Sequence, residues 1–262
     1  MAPFAVAVKL VLVPSLIAAI TLVGVRLGPR VAGALTGLPV VAGPIVLFLA
    51  LEQGPAFAAQ SARATLGGEG ALGVFCVVYA ASALRASWWT SLALGWAAFI
   101  AATFVLERVD PGLAAAAAIA LATPAAIAAL TPRPELPAAR GEVPRAEIAL
   151  RMGAGAVLVV AITGLSRALG PRWSGLLTVF PVVTAILAVF SHRNQGAPFA
   201  VYLLRGLAAG IYSLTAFFLT LALGLDRVGV GAAFAGAVLA SLMVQSVVLA
   251  RFRRAQRRPG AG

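Results

Sequence analysis

Charged side chains are scarce: Asp, Glu, Lys and Arg together make up 11% of the residues, less than half the roughly 25% of a soluble domain. Lysine occurs once (Lys9), histidine once (His192) and cysteine once (Cys76). A single cysteine excludes a disulfide within the chain and a thiolate metal site. One histidine and eight carboxylates, scattered along the chain, form no metal-ligand cluster by spacing, so neither a metal nor a cofactor is implied. Ser174 and His192 could be imagined as a dyad, but no G-x-S-x-G motif surrounds the serine, and the chain is not expected to be an enzyme.

Long apolar runs fill the space that charge leaves. The chain is 61% hydrophobic with a mean hydropathy of +1.01. Residues 88–106, 112–131 and 229–250 carry no charge, and each is long enough to cross ~30 Å of hydrocarbon as a helix. In lipid only helices and closed barrels satisfy every backbone group. These runs are uniformly apolar rather than alternating, which favours helices. The predicted spans are 4–25, 33–51, 55–84, 88–106, 112–131, 147–168, 173–190, 198–223 and 229–250. Segment 55–84 is too long for one crossing. Its Gly67-Gly68 pair predicts an interruption, with Gln60, Ser61, Arg63 and Thr65 at the interface and Glu69 in a loop.

The chain repeats itself. Shifted by 142 residues, 27–68 falls on 169–210 without gaps, with 17 identities in 42 positions. Gly28/Gly170, Pro29/Pro171, Arg30/Arg172, Thr36/Thr178, Pro39/Pro181, Gln53/Gln195 and Arg63/Arg205 coincide, a set that composition alone does not produce. Because the N-terminal apolar stretch has a mid-chain counterpart and no basic region before it, it reads as a retained helix rather than a signal peptide. The domain reading is repeat one over 1–110, a linker helix with a polar loop over 111–146, repeat two over 147–250 and a basic tail over 251–262. The unpaired helix 112–131 sets the second four-helix unit upside down relative to the first.

Basic residues test that orientation. With the N-terminus outside and the C-terminus inside, 14 of the 20 Lys and Arg face the cytoplasm, as positive-inside loops require. The predicted fold is thus an all-α polytopic membrane helix bundle of about nine transmembrane helices, with two inverted-topology repeats of four joined by one extra helix. Its composition, rich in Ala, Gly, Arg and Pro, points to a bacterial inner membrane. The net charge of +12 lacks interleaved aromatics and does not suggest nucleic-acid binding. Arg251, Arg253, Arg254, Arg257 and Arg258 instead suit anionic lipid headgroups.

Paired residues mark candidate sites. Thr36 with Pro39, and Thr178 with Pro181, put a helix breaker at equivalent depth in each unit. Either these are discontinuous helices framing a substrate site near the midplane, or they are proline kinks whose freed carbonyls the threonines answer. Arg63 and Arg205 either snorkel or coordinate an anion, with Lys9 or Arg151 as possible helpers. Glu52 is the candidate proton-coupling carboxylate. Gly54 and Gly196 read as helix stops, and Trp88, Trp89 and Trp173 as interfacial anchors.

The run SGLLTVFPVVTAILAVFSHRNQGAPFAVYLLRG (174–206) resembles the core of the GlpM-type small bacterial membrane proteins, with a G-L pair, an F-P turn and an A-x-x-L-R-G-like continuation. The first half matches it more weakly, Gly37-Leu38-Pro39 standing where Val179-Phe180-Pro181 do. The resemblance implies two fused four-helix units and an architecture more than a chemistry. Two functions follow as expectations. One is a small transporter or permease for a small anion or polyol. The alternative is a non-transporting scaffold or accessory subunit, for example in envelope polysaccharide export, packed through Gly153, Gly155, Gly206, Gly210 and Gly236.

Overall fold

The computed structural model describes residues 3–135, 144–168 and 170–256, and every regular element among them is an α-helix. In chain order these are α1 (Pro3–Leu27), α2 (Pro29–Thr36), α3 (Ala42–Gln53), α4 (Pro55–Ala83), α5 (Trp88–Val109), α6 (Leu113–Leu130), α7 (Arg145–Ala168), α8 (Gly170–Thr178), α9 (Val182–Gln195) and α10 (Ala197–Gln256). α10 is two rods. Gly229 sits at φ +78°, ψ 167°, a conformation open to glycine. Beyond it the chain doubles back, so that Ser213 and Ser241 hydroxyls meet at 2.8 Å. The arms are called α10a (197–228) and α10b (230–256).

Among the described residues, five helical stretches are long and apolar enough to cross a membrane: Pro55–Ala83, Trp88–Val109, Leu113–Leu130, Gly175–Gln195 and Ala197–Phe252. Their outward faces carry bare Phe104, Leu121, Leu239 and Met243. Large apolar side chains turned outward on helix after helix are those of a protein surrounded by lipid. The chain is a membrane-embedded helical protein.

One sequence expectation is overturned. Segment 55–84 is not interrupted at Gly67-Gly68: α4 runs unbroken through it. Nor do Ser61 and Thr65 lie at an interface, since both are fully buried. The glycines serve close packing instead. A Cβ on Gly68 would lie 3.1 Å from the Leu176 carbonyl of α8, and one on Gly70 or Gly73 would collide with Ile119 or Thr123 of α6.

α4 and α10a form the centre, with α2 against α10 and α8 against α4. Both outer contacts are glycine crossings. A Cβ at Gly33 would meet Leu203 O at 1.9 Å, and one at Gly210 would meet Ala34 O at 2.2 Å. On the other side, a Cβ at Gly175 would meet Ser61 O at 2.3 Å. In α7, Arg151 reaches Thr21 of α1 at 3.3 Å, while Gly155, one turn further on, meets Ile17, one turn earlier. α1 and α7 therefore run antiparallel.

Arg151 is buried, bonded to Glu147 and stacked 4.9 Å from the Phe190 ring centroid. Removing one member of a buried pair strands the other charge. Glu147→Gln is expected to cost about 3 kcal/mol, read as a lowered thermal midpoint in detergent. An unchanged midpoint would mean that the guanidinium reaches water.

Candidate functional site

α2 stops at Thr36 and α3 begins at Ala42; α8 stops at Thr178 and α9 begins at Val182. Proline causes both breaks. It lacks a donor, its ring collides with the preceding turn, and it biases the residue before it away from helical geometry. Short turns bridge the gaps: Leu38 N donates to Leu35 O at 3.2 Å, Phe180 N to Leu177 O at 3.0 Å and Val182 N to Phe180 O at 2.7 Å. These are interruptions of the helix, wider than a kink. Neither pair of segments folds back on itself as a hairpin.

Both breaks open on the same space. A cavity of about 80 Å³ is lined by Thr36 and Leu38 from the first break, Thr178 and Pro181 from the second, and Leu72 and Leu214 from the two central helices. A water occupies ~30 Å³ in the liquid, so this is room for a small solute. Around it lie the C-terminal ends of α2 and α8, partially negative, and the N-terminal ends of α3 and α9, partially positive. The Thr36 hydroxyl donates to Gly33 O at 2.6 Å, which leaves its lone pairs to accept. Gln245 of α10b donates to Ala34 O at 3.2 Å, answering another carbonyl of the last turn of α2.

Of the sequence-predicted residues, Thr36, Thr178 and Pro181 are brought together. Pro39 faces a separate apolar space of about 330 Å³ beside Phe217 and Phe234. The arginines do not join the cavity. Arg205 donates to the Thr131 carbonyl and to the Thr131 hydroxyl, both at 2.7 Å, closing the C-terminus of α6, a favourable place for a cation. Arg63 approaches Asp110 at 3.6 Å beyond the opposite end of the bundle's α6. Glu52 lies exposed at the end of α3, outside the cavity lining. Gly54 and Gly196 adopt φ +93° and +102°, as stops between helices. Trp173 is half-buried and packs edge-on against Phe104. His192 stands 3.4 Å from the Tyr79 hydroxyl. Arg251 and Arg254 are exposed; the side chains of Lys9 and Arg253, and all of Arg257 and Arg258, lie outside the described residues.

Glu69 is the residue that sequence reasoning misplaced. It is no loop residue: it sits mid-way along α4, fully buried. Its Oε2 is 2.5 Å from the Thr215 hydroxyl of α10a, and its Oε1 has no partner. Glu69 lies one turn from Leu72 and Thr215 adjoins Leu214, so the pair is next along both helices to residues of the cavity wall without lining the cavity itself. Thr215 also borders a separate space of about 570 Å³ beside Tyr212 and Met243. A signal was present. Ser61, Thr65 and Glu69 recur every four residues, a polar stripe on one helix face, and all three are fully buried.

Comparison with family models, with curated proteins and with solved structures returns no significant match. The reading of the site therefore rests on its own geometry.

Proposed function

We propose that the protein is a small permease-like membrane protein that moves a small anion or polyol through the cavity between its two helix breaks. The observation that carries this reading is that both breaks line one cavity, with residues 142 positions apart meeting across it: Thr36 and Thr178, Leu38 and Phe180, Leu72 and Leu214. Discontinuous helices meeting at the centre of a bundle are the usual form of a transporter site.

The same offset supports two copies of a four-helix unit in opposite orientation, threaded nine times through the bilayer with α6 as the joining helix. α1 corresponds to α7, the broken pairs α2–α3 and α8–α9 correspond, and α4 and α5 correspond to α10a and α10b. The glycine crossings correspond as well: Gly33 on Leu203 with Gly175 on Ser61, and Gly210 on Ala34 with Gly68 on Leu176. The antiparallel run of α1 and α7 is what inversion requires. This is the arrangement that two fused GlpM-type units would have. Of the five glycines that favour a scaffold, Gly155, Gly206 and Gly210 close against their own chain, whereas Gly153 has nothing within 4 Å and Gly236 has only Thr220 at 3.7 Å.

Reporter fusions at residues 140 and 262 are both expected to read cytoplasmic; a split result would break the inverted arrangement. Transport is tested in proteoliposomes offered a panel of small anions and polyols. Uptake of at least one solute is expected to exceed that of protein-free vesicles by roughly tenfold, a difference of ~1.4 kcal/mol in barrier height. Silence across the panel would overturn the reading.

A further inference from the structure

The Thr215 hydroxyl has one proton and two oxygens within reach: Glu69 Oε2 at 2.5 Å and the Ile211 carbonyl, one turn back, at 2.9 Å. A carboxylate at Glu69 and the carbonyl would compete for that single proton. The geometry closes if the carboxyl carries its own proton. Glu69 O–H then donates to Thr215 Oγ1, and Thr215 O–H donates to Ile211 O, so every polar proton has an acceptor.

The surroundings demand the same state. An unpaired carboxylate in an apolar interior costs far more than its hydrogen bonds return. Among the described residues no cation is paired with it. Arg251, exposed near the end of α10b, shares with Thr215 only the lining of a separate space of about 570 Å³, and α10b carries no ionisable residue from Val230 to Ala250. α6 carries no ionisable residue from Leu113 to Leu130, and α5 carries none from Trp88 to Leu106. α10a offers only Tyr212 between Arg205 and Asp226, and α4 itself only Cys76, Tyr79 and Arg63 beyond the glutamate, the last drawn to Asp110. On α8 the sole charge is Arg172, at the start of the helix, and on α3 it is Glu52, at the exposed end. Among the described residues the two salt bridges, Arg63–Asp110 and Arg151–Glu147, lie elsewhere. The counterpart of Glu69 in the 142-residue alignment is Ile211, and that of Thr215 is Gly73. Neither member of the pair is repeated in the other half, so the duplication does not account for it.

We propose that Glu69 is the proton-carrying group of the central cavity. Resting on the permease reading, the carboxyl is held neutral against Thr215 and trades its proton with water admitted when the wall of Leu72 and Leu214 parts. On loading, hydronium brought in with the water gives up a proton: one of its O–H bonds breaks, an O–H bond forms at a carboxylate oxygen, and water is left. On release the same bond breaks and the proton leaves with water. The cycle needs no other reactant.

Infrared difference spectra of the full chain in lipid bilayers test this without a substrate. At neutral pH the wild type is expected to show the C=O band of a protonated carboxyl, absent in Glu69→Gln and displaced in Thr215→Val. Transfer to D2O is expected to shift the band, and Leu214→Ala to speed that shift by about tenfold, equal to ~1.4 kcal/mol off the opening free energy. Absence of the band, a band that never shifts in D2O, or an unchanged rate in Leu214→Ala would each overturn the proposal. The permease reading stands or falls separately. A shifting band in vesicles that transport nothing removes the transport and keeps the proton site. Solute flux through Glu69→Gln that matches wild type and ignores a pH gradient removes the proton site and keeps the transport.

Discussion

Valine in place of Gly33 or Gly210 is expected to cost the protein its fold. At these crossings the backbones of α2 and α10a are in direct contact, and the first carbon of any side chain would sit 1.9 Å from the Leu203 oxygen at Gly33 or 2.2 Å from the Ala34 oxygen at Gly210. Real contacts between carbon and oxygen stay beyond ~3.3 Å, so the helices must separate. Separation undoes the burial of Val31, Ala34, Leu203 and Leu207 along the whole seam. Overpacking costs ~1–3 kcal/mol when a side chain can yield, and here only backbone is available to move. The loss is expected at or above the top of that range, seen as aggregation on extraction or a sharply lowered thermal midpoint. Gly153 is the control. A Cβ there meets nothing within 4 Å, and Gly153→Ala is expected to change stability by ~0.5 kcal/mol or less. Equal tolerance of the substitutions at Gly33 and Gly153 would refute the close crossing.

Leucine at Thr36 or Thr178 is expected to close the cavity and leave the protein folded. Each threonine borders open space of about 80 Å³, which accepts extra methyl groups with less strain than a filled core. The substitution also removes a hydroxyl from a solute path already poor in polar groups. Flux of the solute found in the vesicle assay is expected to fall by roughly tenfold or more, since ~1.4 kcal/mol of lost interaction is already that factor. Thr178→Ser keeps the hydroxyl and most of the volume, and is expected to keep most of the flux. Undiminished flux in both leucine variants would place the path elsewhere in the bundle.

The breaks themselves were legible because proline acts locally. Pro39 and Pro181 disrupt their helices whatever surrounds them, and the repeat ties the two events together. The glycines of α4 were misread because their meaning depends on solvent. In water Gly67-Gly68-Glu69-Gly70 reads as a helix breaker; in lipid the same small residues allow helices to touch. Glu69 was assigned to a loop on that mistake, and Glu52 took its place as the candidate acid. Arg63 and Arg205 were recognised as paired but not as partners of helix ends. Their partners, Asp110 and the Thr131 carbonyl, flank the one helix without a counterpart, so the repeat carried no information about them. The polar groups behind the breaks were only half visible: Ser241 and Gln245, one turn apart and both buried, form a short polar stripe on α10b, while Thr215 stands in α10a without such a pattern.

The seam between α2 and α10a also fixes an order of events during biosynthesis. Gly33 leaves the ribosome early, yet the carbonyls it must rest against belong to Leu203 and its neighbours. At about 5–20 residues per second, the second helix has to wait roughly 10–30 s before its seat exists. During that interval its glycine face is open to lipid, or to any other small-residue surface that membrane insertion machinery can offer it.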